Sequence, residues 1–214
     1  MAVLKFIKYQ PVGLRLWHWL NATVITGLLL TVGLRRTLFR GRTLTQMIEN
    51  KAGSAGTTID HKLAREIANS FVDQLWQWHI YLGYALGILL LLRILVVFVH
   101  KESPLAFALR GFQQFKTAAP ADKKDSLHYL MVRSGYLVFY LAVIFMVGSG
   151  LSMIFADELH LPEPWVNQIH DVHEVFQYFF LLFVIGHIAG VIWAELGRHR
   201  GLVSNMIHGG DRDH

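Results

Sequence analysis

Two histidines in one apolar segment are the clearest chemical feature of the sequence. Residues 173–187 read HEVFQYFFLLFVIGH. In a helix, the fourteen-residue step from His173 to His187 turns about 1400°, so both imidazoles lie on nearly the same side, about 21 Å apart along the axis. Ionisable side chains are rare inside membrane helices, and there they indicate function. The spacing therefore predicts two ligand positions at two depths of one helix.

Four long apolar segments must supply the helices that position such groups. They cover residues 12–34, 76–99, 129–155 and 172–195, and each exceeds the roughly 20 residues needed to cross about 30 Å of hydrocarbon. Only 16% of the residues are charged, against about 25% in a typical soluble domain. We therefore predict an all-α protein, an integral membrane four-helix bundle that forms one domain over residues 1–214.

The connections between these segments are polar. In the first, residues 35–75, a stretch AGSAGTT predicts a turn region, and an apolar repeat of four residues predicts a helix that continues into the second span (Leu63, Ile67, Phe71 and Leu75). In the second connection, Ser103 and Pro104 are typical of the start of a short amphipathic helix.

Loop charges predict that both termini, including the tail 196–214, lie in the cytoplasm. The third connection, residues 156–171, has no Lys or Arg, whereas the N-terminus, the second connection and the tail carry ten. The seven cations of the first connection oppose this orientation, but the balance of the positive-inside rule favours it. A polar start ahead of a long first apolar segment predicts a retained helix and not a cleaved signal peptide.

Two further histidines lie inside the apolar segments. Because the first and fourth helices run antiparallel, His18 has the depth of His187, and by the same argument His79 has the depth of His173. Two facing imidazoles can bind one haem iron through both axial positions, so the two pairs predict two haems stacked across the membrane. His170 lies one turn before His173 and is rotated by about 60° from it around the helix axis. It is the alternative to His173 as a haem ligand.

The composition narrows the chemistry further. The chain has twelve histidines and no cysteine, which excludes disulfides, thiolate-held iron–sulfur clusters and covalently attached haem. Glycines on three helices would leave room for a cofactor (Gly83, Gly87, Gly148, Gly150, Gly186 and Gly190). The GxxxG spacing among them is also typical of close helix packing alone.

Three arginines are predicted at the level of His18 and His187. Arg15, Arg93 and Arg133 could pair with haem propionates, and the alternative is that they reach lipid phosphates. Asn21 is a candidate quinone contact. Tryptophans near the helix ends, Trp76 among them, are predicted to anchor the membrane interface.

These segments resemble a known family. LRLWHWLNA, WHIYLGYALGILLLLRI, HEVFQYFFLLFVIGHIAGVIW and the tail GLVSNMIHGG are similar to the bacterial di-haem b-type cytochromes: the cytochrome b561 group, the b-type cytochrome subunits of nickel–iron hydrogenases and the gamma subunits of formate dehydrogenases. The resemblance implies haem b axial pairs His18/His187 on the cytoplasmic side and His79/His173 on the periplasmic side. It also implies a bacterial inner-membrane location with both termini in the cytoplasm.

The function expected from this resemblance is electron transfer between a periplasmic redox protein subunit and membrane quinone, with no nucleic-acid partner. A second version is a stand-alone superoxide:quinone oxidoreductase. The rival from another class is a haem-free transporter whose histidines relay protons or bind a divalent cation. The sequence departs from the family in its long, basic first connection, which either docks an acidic partner or is a solvated loop.

Overall fold

The chain is almost entirely helical. The computed structural model describes residues 10–100, 104–120, 123–196 and 202–209, and no strand occurs within these ranges. Their helices are α1 (Val12–Arg36), α2 (Gly41–Ser54), α3 (His61–His100), α4 (Pro104–Thr117), α5 (Lys123–Ile154), α6 (Glu163–Leu196) and α7 (Leu202–His208). The all-α prediction is confirmed.

Four of these helices are long and apolar enough to cross a membrane. In the described ranges the candidate spans are Val12–Arg36, His61–Val99, Arg133–Ile154 and Glu163–Trp193. Only 6% to 22% of an 18-residue apolar window in each is buried, and large side chains such as Phe98, Leu182 and Trp193 are exposed. So much outward apolar surface is favourable in lipid and unfavourable in water. The chain is a multi-pass membrane protein, as predicted.

The residues group into two compact units. One comprises Met1–Leu86 with Gln177–His214, and the other is Gly87–Phe176. Helix α3 is divided between the two units, and so is helix α6. That residues 1–214 form a single domain stays a prediction.

In the first unit, α2 packs antiparallel to the beginning of α3. His61 Nδ1 lies 2.6 Å from Glu49 Oε1, and a Cβ on Gly41 would stand 3.7 Å from Asn69 Oδ1. Between these contacts α3 presents Ala64 and Ala68, both 0% exposed. Small side chains allow the two helices to approach closely, so the first connection is a helical hairpin and not an open loop.

The predicted turn region forms the end of α2. Gly56 has φ +75°, its N–H donates to Gly53 O, and Thr57 N–H donates to Ala52 O. This pair of bonds is the Schellman motif, which needs a left-handed residue that glycine supplies without strain. Helix α2 itself was missed by sequence reasoning, because its short apolar stripe is weak without the partner surface of α3.

Asp60 caps the hairpin's second helix. Its Oδ2 accepts from the N–H groups of Lys62 (2.9 Å) and Leu63 (3.3 Å). We expect Asp60→Ala to cost about 1 kcal/mol of local helix stability and to speed amide exchange at residues 62–66 about fivefold, since 1.4 kcal/mol is tenfold. Hydrogen–deuterium exchange in detergent measures this. Asp60→Asn, which keeps an oxygen acceptor, should exchange like the wild type, and unchanged exchange in Asp60→Ala would contradict the cap.

In the second unit, α4 lies against α5. A Cβ on Gly111 would stand 3.1 Å from Arg133 Cδ and 3.6 Å from Leu130 Cα, so a larger residue there would make the Arg133 side chain shift slightly. Helix α4 begins at Pro104, as the sequence predicts. Arg133 is buried, with 8% of its surface exposed.

Helix α6 begins at Glu163, nine residues before the predicted apolar segment. Hydropathy alone does not detect its first turns, because Asn167, Gln168, His170 and Asp171 are polar. The preceding connection is therefore short. Within this connection His160 has a left-handed backbone conformation, with φ +51°. The N–H of Leu161 donates to Ala156 O.

Candidate functional site

His18 and His187 face each other in the first unit. Their ring centroids lie 6.0 Å apart with the planes inclined at 56°, one ring on α1 and the other on α6. Phe183, one turn before His187, has its ring parallel to that imidazole at 6.2 Å. The structure thus brings together two residues that are 169 positions apart in the sequence.

His79 belongs to the same unit and is held at two places. Its Nδ1 lies 2.8 Å from Thr31 Oγ1, and its ring stacks on Trp76 at 4.6 Å and 3°. Helices α1 and α3 come close here, because a Cβ on Gly27 would stand only 3.0 Å from Leu82 Cδ1. The residue predicted as an interface anchor, Trp76, therefore also orients a histidine.

Trp76 is itself covered by a cation from the basic first connection. The Arg35 guanidinium lies 4.4 Å above its ring centroid, while Arg36 donates from Nη1 to Tyr178 Oη at 2.7 Å. Arg36 is half-buried, whereas Arg35, Arg40 and Arg42 are exposed.

His173 lies in the second unit between α5 and α6. Its Nδ1 is 2.7 Å from Ser149 Oγ, and a Cβ on Gly150 would stand 3.6 Å from its Cε1. Phe145 and Phe176 pack one turn away, with ring centroids 4.4 Å apart. Ser149 and its counterpart Thr31 were not singled out by sequence reasoning, and a hydroxyl in an apolar helix at the level of a histidine is the only signal for them.

Arg15 bonds to the tail helix. Its Nη1 donates to the carbonyl of Ile207 at the end of α7, and its guanidinium packs on Gly209, which has φ +101°. Its Nε is buried and has no hydrogen-bond partner among the described residues. Near it, Trp19 Nε1 donates to Met206 O at 3.0 Å.

A comparison with known families decides the class of protein. The sequence model of the prokaryotic cytochrome b561 family matches residues 9–209, nearly the whole chain. The chain belongs to the prokaryotic cytochrome b561 family. It is therefore a membrane b-type cytochrome that takes part in electron transfer, and the resemblance noted in the sequence is confirmed. Comparisons with curated proteins and with solved structures gave no match.

The other two arginines of this cytochrome lie in the second unit. Arg93 Nε donates to Tyr140 Oη at 2.9 Å, and Arg133 packs on Gly111. The structure thus ties Arg15 to the tail, Arg93 to a tyrosine and Arg133 to α4. Pairing of any of the three with haem propionates stays a prediction.

The glycines of the cytochrome differ in what faces them. A Cβ on Gly87 would stand 3.4 Å from Val147 Cγ1, so this glycine serves close packing. At four other glycines, the space around a Cβ would be open. Among the described residues, no atom outside the glycine's own helix lies within 4 Å of that position at Gly83, Gly148, Gly186 or Gly190.

A cavity of about 460 Å³ lies between α5 and α6 of the cytochrome, inside the second unit. Its lining includes Ser149, Trp165, Gln168 and Val172. The cavity has the size of ligand pockets, and Ser149 both lines it and contacts His173. By contrast His170 is exposed, with its Nδ1 3.6 Å from Asp171 Oδ1.

The remaining sequence candidate, Asn21, is 5% exposed and donates from Nδ2 to Trp17 O at 2.8 Å. Its amide nitrogen therefore serves its own helix. The second N–H of this group and the amide oxygen are the atoms that could contact a quinone, and such a contact stays a prediction.

Proposed function

We propose that His18 and His187 bind one haem b, that His79 and His173 bind a second, and that the protein transfers electrons from a periplasmic redox partner to quinone in the bacterial inner membrane. The observation that carries the proposal is the 6.0 Å separation of the His18 and His187 rings. No catalytic side chain is needed, because the reaction is electron transfer.

The ring separation fits two axial ligands on one iron. An imidazole nitrogen binds a first-row metal at about 2 Å, and the ring centroid lies roughly 1 Å beyond it, so two opposed ligands have centroids about 6 Å apart. The 6.0 Å observed between His18 and His187 supports this pair. Arg15 Nε, buried and without a partner in the described ranges, offers a donor for a propionate nearby.

The second pair is supported by how each member is held. His79 and His173 each place Nδ1 against a hydroxyl, and a histidine that binds a metal usually donates its other ring N–H to an oxygen acceptor. The two residues belong to different units, so their pairing rests on the depth argument from the sequence.

A haem held by two of these imidazoles would supply one-electron transfer. What this chain contributes is the positions of the four imidazoles, the donor of Arg15 and the apolar helices that exclude water from the path. With both termini in the cytoplasm, His79 and His173 lie toward the periplasmic partner, and His18 and His187 lie toward a cytoplasmic-side quinone. Moving an electron across the full span is worth about 2.3 kcal/mol per 100 mV of membrane potential.

The test is a haem count with a functional readout on detergent-purified protein. We expect a pyridine haemochrome assay to give close to two haems b per chain, and we expect a short-chain ubiquinone analogue to reoxidise the reduced protein in a stopped-flow mixer. One haem per chain would contradict the second pair. An absence of haem in protein from haem-replete cells would contradict the whole proposal and favour a haem-free transporter.

A further inference from the structure

We infer that Thr31 and Ser149 are positioning residues for the second haem. Their hydroxyls hold His79 and His173 in the tautomer with the proton on Nδ1, turn Nε2 toward the iron, and lower the midpoint potential of that centre. The inference rests on the proposed function, since it concerns how two of the proposed ligands are tuned.

The hydrogen-bond inventory of Thr31 assigns the proton. A threonine hydroxyl has one hydrogen to donate and two lone pairs to accept with. Thr31 Oγ1 lies 2.7 Å from Leu28 O, an acceptor only, so its hydrogen points there. The contact of 2.8 Å to His79 Nδ1 must then be a bond in which the imidazole N–H donates to Oγ1.

Ser149 repeats the same arrangement on another helix. Its Oγ lies 2.7 Å from Phe145 O and 3.2 Å from Met146 O, both acceptors only. The hydroxyl hydrogen is shared between these carbonyls, so the 2.7 Å contact to His173 is a bond donated by Nδ1–H. In both histidines the lone pair for a metal is consequently on Nε2.

The other proposed pair lacks this support. Within the described ranges, neither His18 nor His187 forms a side-chain hydrogen bond through its ring. The hydroxyl contacts therefore distinguish His79 and His173 from the two histidines that face each other in the first unit.

The bond has an electronic consequence. An imidazole that donates its second N–H becomes a more basic ligand, which favours the oxidised iron over the reduced iron. The hydroxyls of Thr31 and Ser149 thus lower the potential of their haem. Electrons that arrive there are more readily passed on to the centre at His18 and His187.

Redox titration of the purified two-haem protein tests the inference. In Thr31→Val and Ser149→Ala we expect one of the two midpoint potentials to rise, the same one in both variants, while the other stays at its wild-type value. A tenfold change in the oxidised-to-reduced ratio is a shift of about 59 mV for one electron. We expect a rise of up to that size per hydroxyl, and a larger one in the double variant.

Matched controls separate this effect from general perturbation. Thr37 and Ser70 donate from their hydroxyls in the same way, to Gly33 O and Ile67 O, and among the described residues neither has a hydrogen bond to a histidine. Thr37→Val and Ser70→Ala should leave both potentials unchanged. Thr31→Ser keeps the hydroxyl and should restore the wild-type value.

Three outcomes would overturn the inference: unchanged or lowered potentials in Thr31→Val and Ser149→Ala, shifts of equal size in the controls, or a Thr31→Ser variant that behaves like Thr31→Val. If Thr31→Val is purified with one haem, retention of both haems in Thr31→Ser supports the inference, and loss there as well overturns it. Failure of the proposed function has a different signature, namely a wild-type protein without two haems.

Discussion

His187→Ala is expected to leave the purified protein with one haem b per chain. The substitution removes one of two imidazoles whose centroids are 6.0 Å apart, and a haem held by His18 alone loses half of its axial ligation. The second haem should persist, because its proposed ligands belong to other positions. Haem content by pyridine haemochrome and the reduced-minus-oxidised spectrum measure the loss.

The pairing is tested by combining substitutions. If His18 and His187 hold the same iron, the double variant His18→Ala/His187→Ala should retain as much haem as either single variant. The combination His18→Ala/His173→Ala should retain none. His208→Ala, at an exposed position in α7, serves as the control with both haems. A double variant of His18 and His187 without any haem would contradict the pairing.

His173→Ala is expected to remove the other haem, whereas His170→Ala should keep both. The two residues are one turn apart and either was open as a ligand from the sequence. In the structure His173 is held by Ser149 at 2.7 Å and lies against Gly150. His170 is exposed beside Asp171. Because His173 is half-buried with its ring hydrogen-bonded and His170 is exposed, His173 is held more firmly, and the structure favours it.

The haem assay described for His187→Ala decides whether His170 or His173 is the ligand. The haem that His173→Ala retains should have the midpoint potential of the His18/His187 centre. Loss of haem in His170→Ala with two haems in His173→Ala would reverse the assignment. Loss in both variants would indicate that His170 supports its neighbour.

Much of the membrane architecture could be predicted because it depends on local properties. A run of apolar residues longer than the bilayer is thick predicts a span wherever it lies in the chain, and all four predicted spans are helices in the structure. The helical period likewise placed His173 and His187 on one stripe without reference to any other helix. The family resemblance rested on the same segments.

The extramembrane elements were harder to predict. Helix α2 has few apolar residues, and it contacts α3 through Glu49 and His61 and beside Gly41 and Asn69. The first turns of α6 are polar, and α7 is only seven residues long. Helix α7 is held by bonds from Arg15 and Trp19 to its carbonyls. In each case tertiary contacts compensate for weak local propensity.

By itself the sequence determined the number of spans, the spans in which the four histidines lie and the family, because hydropathy and motif are properties of single segments. Only the tertiary structure decided which hydroxyl meets which histidine and that Arg15 bonds to the tail. A hydrogen bond of 2.7 or 2.8 Å at Ser149 or Thr31 depends on the rotation and spacing of two helices. That register is set by packing contacts such as Gly27 against Leu82, far apart in the chain.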